Sequence, residues 1–327
     1  MDPVIVITVS VIRGIGFGAL SVAEAAIITE LVPLRLLGRT AGIFGLSVGF
    51  SQMVALPSGL ALADRVGYEP VYVLAAAIGL IGLVVCVRIP TIPAADPTTA
   101  DLSSVRVPLW RLVAVPMIAL ALVTTAYGAV TNFLPISVRE LDPTAGAAFG
   151  GVLLAVMNFA AMFSRYYAGA VLDRRGVPGT VLIPFQVSSA AGIFIIAAVI
   201  WAEASVWWLL LAALLYGAGF GAVQNESLTM LFYRLPKSKA SEASAMWNVA
   251  FDSGTGLGST VYGMMLTSMT MAPMFGVAGV VVAVGIAVTV ADLVLGRNRV
   301  AEVNNLAVRL KSVRAPGRDR GYKRPGR

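Results

Sequence analysis

The sequence predicts an all-α, polytopic membrane protein with nine transmembrane helices. Three observations carry that prediction. Of 327 residues, 58% are apolar and only 13% are charged, about half the charged share of a soluble globular protein, and mean hydropathy is +0.84. The apolar residues gather into nine runs, each near the length of about 20 residues that a helix needs to cross a bilayer. No run alternates apolar and polar residues with period two, which argues against a β-barrel.

The runs are 4–28, 40–61, 70–87, 109–133, 146–168, 180–201, 205–228, 243–266 and 273–295. The first is too long for a signal-peptide core and carries Arg13 and Glu24. Pro33 to Arg39 separates it from the second run, and Asp64 to Pro70 separates the second from the third. The stretch 90–108 forms a longer break before the fourth. Asp142 to Gly146, Asp173 to Gly179 and Pro236 to Glu242 mark later turns.

Loop charges orient the chain. Loops after odd-numbered runs hold Arg35, Arg39, Arg88, Arg106, Arg174, Arg175, Arg234, Lys237 and Lys239, whereas loops after even-numbered runs hold only Arg65 and Arg139. Basic residues mark the cytoplasmic side. The N-terminus is therefore expected outside and the C-terminus inside, in a cell's inner (plasma) membrane. The net charge of +7 has the same origin, since ten of the 24 basic residues lie in the tail 297–327. Val300, Val303, Leu306, Leu310 and Val313 stand there at helical spacing. The tail reads either as a surface helix on anionic lipid or as a solvated cationic segment. No nucleic-acid partner is expected.

A repeat organises the runs. Gly14-Ile-Gly-Phe-Gly-Ala19 returns as Gly217-Ala-Gly-Phe-Gly-Ala222, an offset of 203 residues, and the same offset carries Pro33 to Pro236 and Pro70 to Pro273. Runs one to three and seven to nine thus read as copies of one three-helix unit, oriented alike. Counterparts of runs four to six would fall ahead of Met1. The expected organisation is a three-helix remnant of an N-terminal half at 1–89, a cytoplasmic loop at 90–108, a six-helix C-terminal half at 109–296 and the tail at 297–327. Three further helices are expected to precede Met1, and residues 1–327 alone are expected not to transport.

Two parallel six-helix halves are the architecture of the major facilitator superfamily, and several segments resemble it. Arg13-Gly-Ile-Gly-Phe-Gly18 resembles its fourth-helix pattern, and Glu30-Leu-Val-Pro33 through Gly38-Arg39 resembles the loop that follows. Ala63 to Pro70 resembles the outer turn into its sixth helix. Ser164 to Gly176, with Asp173-Arg174-Arg175-Gly176, resembles the inner loop between its eighth and ninth helices, and Ala243 to Gly258 a segment of its eleventh. The basic pair that ends the family's Asp-Arg-Gly loop is replaced by Val177 and Pro178, and Ala55, Leu56 and Leu60 stand where drug antiporters carry Gly-Pro and Gly. The resemblance implies a carrier of a small solute working by alternating access, with protons as coupling ions. A non-transporting nine-helix receptor or assembly partner is the alternative. No protein partner beyond membrane lipid is implied.

Charges inside a span need a reason to persist. Arg13 and Glu24, 11 residues apart, share a helical face. Arg13 either binds an anionic group or neutralises an acid elsewhere. Without His, proton coupling falls to a carboxyl, and Asp252 in the eighth run is the first candidate. Gln224, Asn225 and Glu226 form a polar step in the seventh run, and Asn132, Asn158 and Asn248 are further intramembrane amides. The resemblance favours Arg13, Asn132 and Gln224 as cavity-facing. It also implies a cytoplasmic gate of Asp173, Arg174, Arg175, Gly176 and Arg165, with Arg39 as the target of Asp173. Gly14, Gly16, Gly18, Gly217, Gly219 and Gly221 read as helix-packing positions, as does the run 254–258. With one Cys and no His, no disulfide, metal site, cofactor or nucleophile–base pair is expected, so the chain reads as no enzyme.

Overall fold

A computed structural model describes residues 3–32, 36–88, 109–144, 146–235 and 239–295. The loop expected at 90–108, the tail 297–327, Pro33, Arg35, Pro236 and Lys237 lie outside the described residues. Among those described, nine helices follow one another: α1 (Pro3–Leu31), α2 (Leu37–Val66), α3 (Tyr68–Cys86), α4 (Leu109–Leu141), α5 (Gly146–Arg175), α6 (Leu182–Trp201), α7 (Trp208–Arg234), α8 (Ala240–Met265) and α9 (Met271–Leu295). In hydrocarbon every backbone N–H and C=O must be satisfied within its own segment, and the helix achieves this.

Seven of the nine helices are long and apolar enough by composition to cross a membrane. The two that are not, α2 and α8, carry the polar residues Ser47, Ser51 and Ser58, and Ser244, Asn248, Asp252 and Ser253. Ser244 and Asn248 are buried, whereas Ser47, Ser58 and Ser253 are exposed and donate to carbonyls one turn back on their own helices.

The main core lies in α4 to α9. Leu134, Leu153, Met157, Ile193, Tyr216 and Phe275 are fully buried there. Tyr216 satisfies its hydroxyl by donating to the Val123 carbonyl at 3.0 Å. In contrast, α3 buries no residue and packs on α2.

Glycines set the helix spacing. A Cβ built at Gly217 or Gly221 would strike the backbone of Met157 or Ala161 on α5, and one at Gly219 would strike Phe185 and Ser189 on α6. Gly254 and Gly258 meet Ala121 and Thr125 of α4 in the same way. On α2, a Cβ at Gly42 would stand 3.0 Å from the Tyr166 Cα, and one at Gly49 3.4 Å from the Met162 Cβ. These glycines join α2 to α5.

The copy of the glycine run in α1 behaves differently. A Cβ at Gly14, Gly16 or Gly18 meets nothing within 4 Å. The packing expected of these three glycines is therefore not found among the described residues. The reason is position along the helix, since α1 makes its contacts further on, where Ser244 of α8 reaches the Ser21 carbonyl and Ile28 joins a cluster on α7. Helix α1 packs on α8 and α2 on α7, the two pairings that the repeat expected from the sequence would interchange.

The glycines separate into two experimental classes. Gly221→Ala is expected to force α5 and α7 apart, at about the 1–3 kcal/mol typical of overpacking. Gly16→Ala is expected to leave stability unchanged or slightly raised. Thermal melting of the detergent-solubilised protein checks both, and equal losses would contradict the packing described.

Candidate functional site

Six helices converge on a central cavity of about 170 Å³. Phe17, Ser21 and Glu24 line it from α1 at one-turn spacing, and Ala41, Phe44, Gly45 and Val48 from α2. Tyr127 of α4 and Arg165 of α5 face them. Phe220, Gln224, Asn225 and Leu228 enter from α7, and Trp247, Asn248, Phe251 and Asp252 from α8.

One wall is aromatic. Tyr127 and Phe220 stack with ring centres 4.3 Å apart, and Trp247 stacks on Phe251 at 5.3 Å. Phe251 tilts toward Tyr127 at 6.3 Å and toward Phe220 at 6.2 Å, which joins the pairs into one surface. The Trp247 indole N–H donates to the Gln224 carbonyl at 3.1 Å, so that ring is held.

Arg165 lines the same cavity. Its side chain is only 8% exposed. One terminal nitrogen donates to the Gly45 carbonyl at 3.1 Å and the other to Gln224 Oε1. Gly45 is required for this path, because a Cβ there would lie 2.7 Å from the Arg165 Cδ. The guanidinium thereby links α2, α5 and α7. Arg165 Nε has no partner, and neither has the amide nitrogen of Gln224 or of Asn225.

At the end of the bundle near Asp173, Ile28 of α1 and Met246 of α8 pack against an apolar cluster that includes Leu228, Leu231 and Phe232 of α7. Asp173, at the end of α5, accepts a hydrogen bond from the backbone N–H of Arg39 at 2.8 Å. That N–H is one of the first-turn groups that α2 leaves unsatisfied, and the carboxylate also meets the positive end of the helix dipole. The bond is to the Arg39 backbone; the structure records no Asp173–Arg39 side-chain ion pair. Gly176 ends α5 at φ 68°, with its N–H on the Leu172 carbonyl at 2.7 Å. Arg174 and Arg175 are exposed.

The polar step of α7 divides, because neighbouring helical residues point about 100° apart. Gln224 and Asn225 face the cavity, whereas Glu226 is 1% exposed and turns away. Its Oε2 accepts from the Gly179 N–H in the turn before α6. Asn132 is not cavity-facing as expected. It donates to the Gly128 carbonyl at 2.8 Å and to Ser259 Oγ at 3.1 Å, and so ties α4 to α8. Asn158 bonds back to Leu154 at 3.0 Å. Arg13 stands one turn before Phe17 on the same stripe, exposed and outside the cavity lining. Arg165 departs from the gate expected of it. It belongs to the cavity, eight residues and about 12 Å of helical rise from Asp173. The aromatic wall and Gly45 were not singled out from sequence. The four-residue spacings of Phe220 with Gln224 and of Trp247 with Phe251 are the signal that marks their shared faces.

The Major Facilitator Superfamily model matches residues 2–259. No curated protein matches. Among solved structures, the E. coli fucose:proton symporter superposes with a TM-score of 0.62 at 18% identity, covering 84% of this chain and 73% of that one. A proton:xylose symporter bound to 6-bromo-6-deoxy-D-glucose gives a TM-score of 0.69 at 15% identity, over 86% of this chain and 68% of that one. A bacterial homologue of the iron transporter ferroportin, in an outward-facing state, gives 0.57 at 14% identity, over 85% and 69%. At these identities the likeness is one of fold.

Replacing Asp173 by Ala removes the cap on α2, a loss of about 0.5–2 kcal/mol. Spin labels at the exposed positions Leu36 and Val177 are expected to report a longer, broader distance distribution in Asp173→Ala. An unchanged distribution would show that the cap does not hold this end closed.

Proposed function

The chain belongs to the major facilitator superfamily, a family of transporters rather than enzymes, and on that premise we propose that it is a proton-coupled secondary carrier of a small solute. It works by alternating access in the cell's inner membrane, with its N-terminus outside and its C-terminus in the cytoplasm. The observation that carries this reading is the cavity itself. It lies where α1 and α2 meet the six-helix unit α4–α9, and it places Glu24, Arg165 and Asp252 around one space. Groups contributed from both units change their surroundings when the units rock.

The contacts at the Asp173 end support an outward-facing state, since the positive loops put that end in the cytoplasm. The ferroportin homologue that the chain resembles is also outward-facing. Two of the similar structures are proton symporters. Asp252 and Glu24 are the carboxyls that line the cavity. Protonation removes a charge from the wall before the cavity is enclosed, which lowers the cost of desolvation during the transition. Asp252 is assigned the coupling proton and Glu24 the facing carboxyl.

Membrane vesicles from cells expressing the full-length gene, loaded with a pH-sensitive dye, test this assignment. A panel of organic acids, sugars and amines is added in turn. One class is expected to elicit saturable proton movement, and Asp252→Asn to reduce the rate at least ten-fold. No proton movement with any class, or an undiminished rate in Asp252→Asn, would refute it.

A further inference from the structure

We infer that Arg165, Gln224 and Asn225 form the seat of a carboxylate, and that the solute is a small organic monocarboxylate whose apolar body lies on the Tyr127–Phe220–Phe251–Trp247 wall. This rests on the carrier reading of the same cavity. The first observation is a charge without a counter-charge. The Arg165 guanidinium is almost wholly buried, yet among the described residues no carboxylate lies within 4 Å of it. A buried cation is retained when something pairs with it. Its present partners, the Gly45 carbonyl and Gln224 Oε1, are neutral.

The second observation is the kind of atom left unsatisfied. Arg165 Nε, Gln224 Nε2 and Asn225 Nδ2 are all N–H donors, and none has an acceptor. The Gln224 orientation follows from chemistry, because its oxygen must face the guanidinium, which turns its NH₂ away. Three orphan donors and one unpaired positive charge call for an anionic acceptor. A carboxylate fits in shape, since its two oxygens match the parallel N–H groups of a guanidinium edge or a paired amide. Seating it exchanges Gln224 Oε1 for a charged oxygen and lets the freed Gln224 NH₂ donate to the same group. A single negative charge is favoured over two, because Glu24 and Asp252 line the same space.

An organic cation is the competing occupant, drawn by those two carboxyls and the aromatic faces. The pattern of burial opposes it. Asp252 is exposed in the cavity wall and Glu24 half-buried, so both already have access to solvent. The groups sealed without partners are the donors.

Equilibrium binding to the full chain in detergent tests the seat. The probes are acetate, hexanoate, phenylacetate, phenylacetamide, phenethylamine and phenyl phosphate. At least one carboxylate is expected to bind saturably, and phenylacetate to bind at least ten-fold more tightly than its amide, amine or phosphate counterparts. Gln224→Glu places a counter-ion on Arg165 from within, so it is expected to weaken phenylacetate at least ten-fold with no loss of melting temperature. Arg165→Gln is expected to abolish binding. The seat is overturned if no carboxylate binds, if the amine or phosphate is preferred, or if Gln224→Glu binds phenylacetate like the parent. Carboxylate binding in a protein whose vesicles move no protons leaves the seat standing and removes the carrier reading. Proton-coupled flux of an amine or sugar, indifferent to Gln224→Glu, does the reverse.

Discussion

The passage of Arg165 across Gly45 is the contact on which the interior depends. A guanidinium from α5 reaches a backbone carbonyl on α2 and a side-chain oxygen on α7, and it does so only because α2 has no side chain at the crossing. The same absence at Gly42 and Gly49 brings the two helices close enough for the reach. One buried cation thus joins the α1–α3 unit to the six-helix unit and also furnishes the polar wall of the cavity. On the proposed seat, a ligand that engages Arg165 also acts on the contact of α5 with α2 and α7.

At the Asp173 end, Asp173 caps α2 through the Arg39 N–H, and Ile28 packs against an apolar cluster of α7 and its neighbours. Caps and small apolar plugs contribute about a kcal/mol or so each, a size that ligand binding can offset. Elsewhere at this end the six-helix unit is tied internally, with Arg234 bridging Asp292 at 3.3 Å and the Leu112 carbonyl at 2.9 Å.

Much of this was legible in the chain. The Asp173 loop and the start of α2 were paired from the family resemblance together with the repeat, and the structure brings Asp173 to the Arg39 backbone. Gly217, Gly219 and Gly221 pack as their spacing suggests. Their copies Gly14, Gly16 and Gly18 share the motif and lack the contact, because a motif specifies a surface and not what lies against it. Gln224, Asn225 and Glu226 looked like one polar step, but helical rotation sends two to the cavity and one to the turn at Gly179. Asn132, which the resemblance placed in the cavity, instead ties α4 to Ser259 of α8.

What the sequence determined by itself was the number, length and order of the helices and the charge asymmetry of their loops. Hydrocarbon imposes these segment by segment, through the need to satisfy each backbone and exclude charge, so they can be read locally. The tertiary structure decided which face of each helix turns inward and which partner it meets. Helix packing in a membrane rests on close fit between residues far apart in the chain, such as Gly45 with Arg165 or Gly221 with Ala161. No local pattern carries the rotation of one helix about its axis relative to another. The aromatic wall, the uncompensated guanidinium and the cavity they line exist only once those rotations are set.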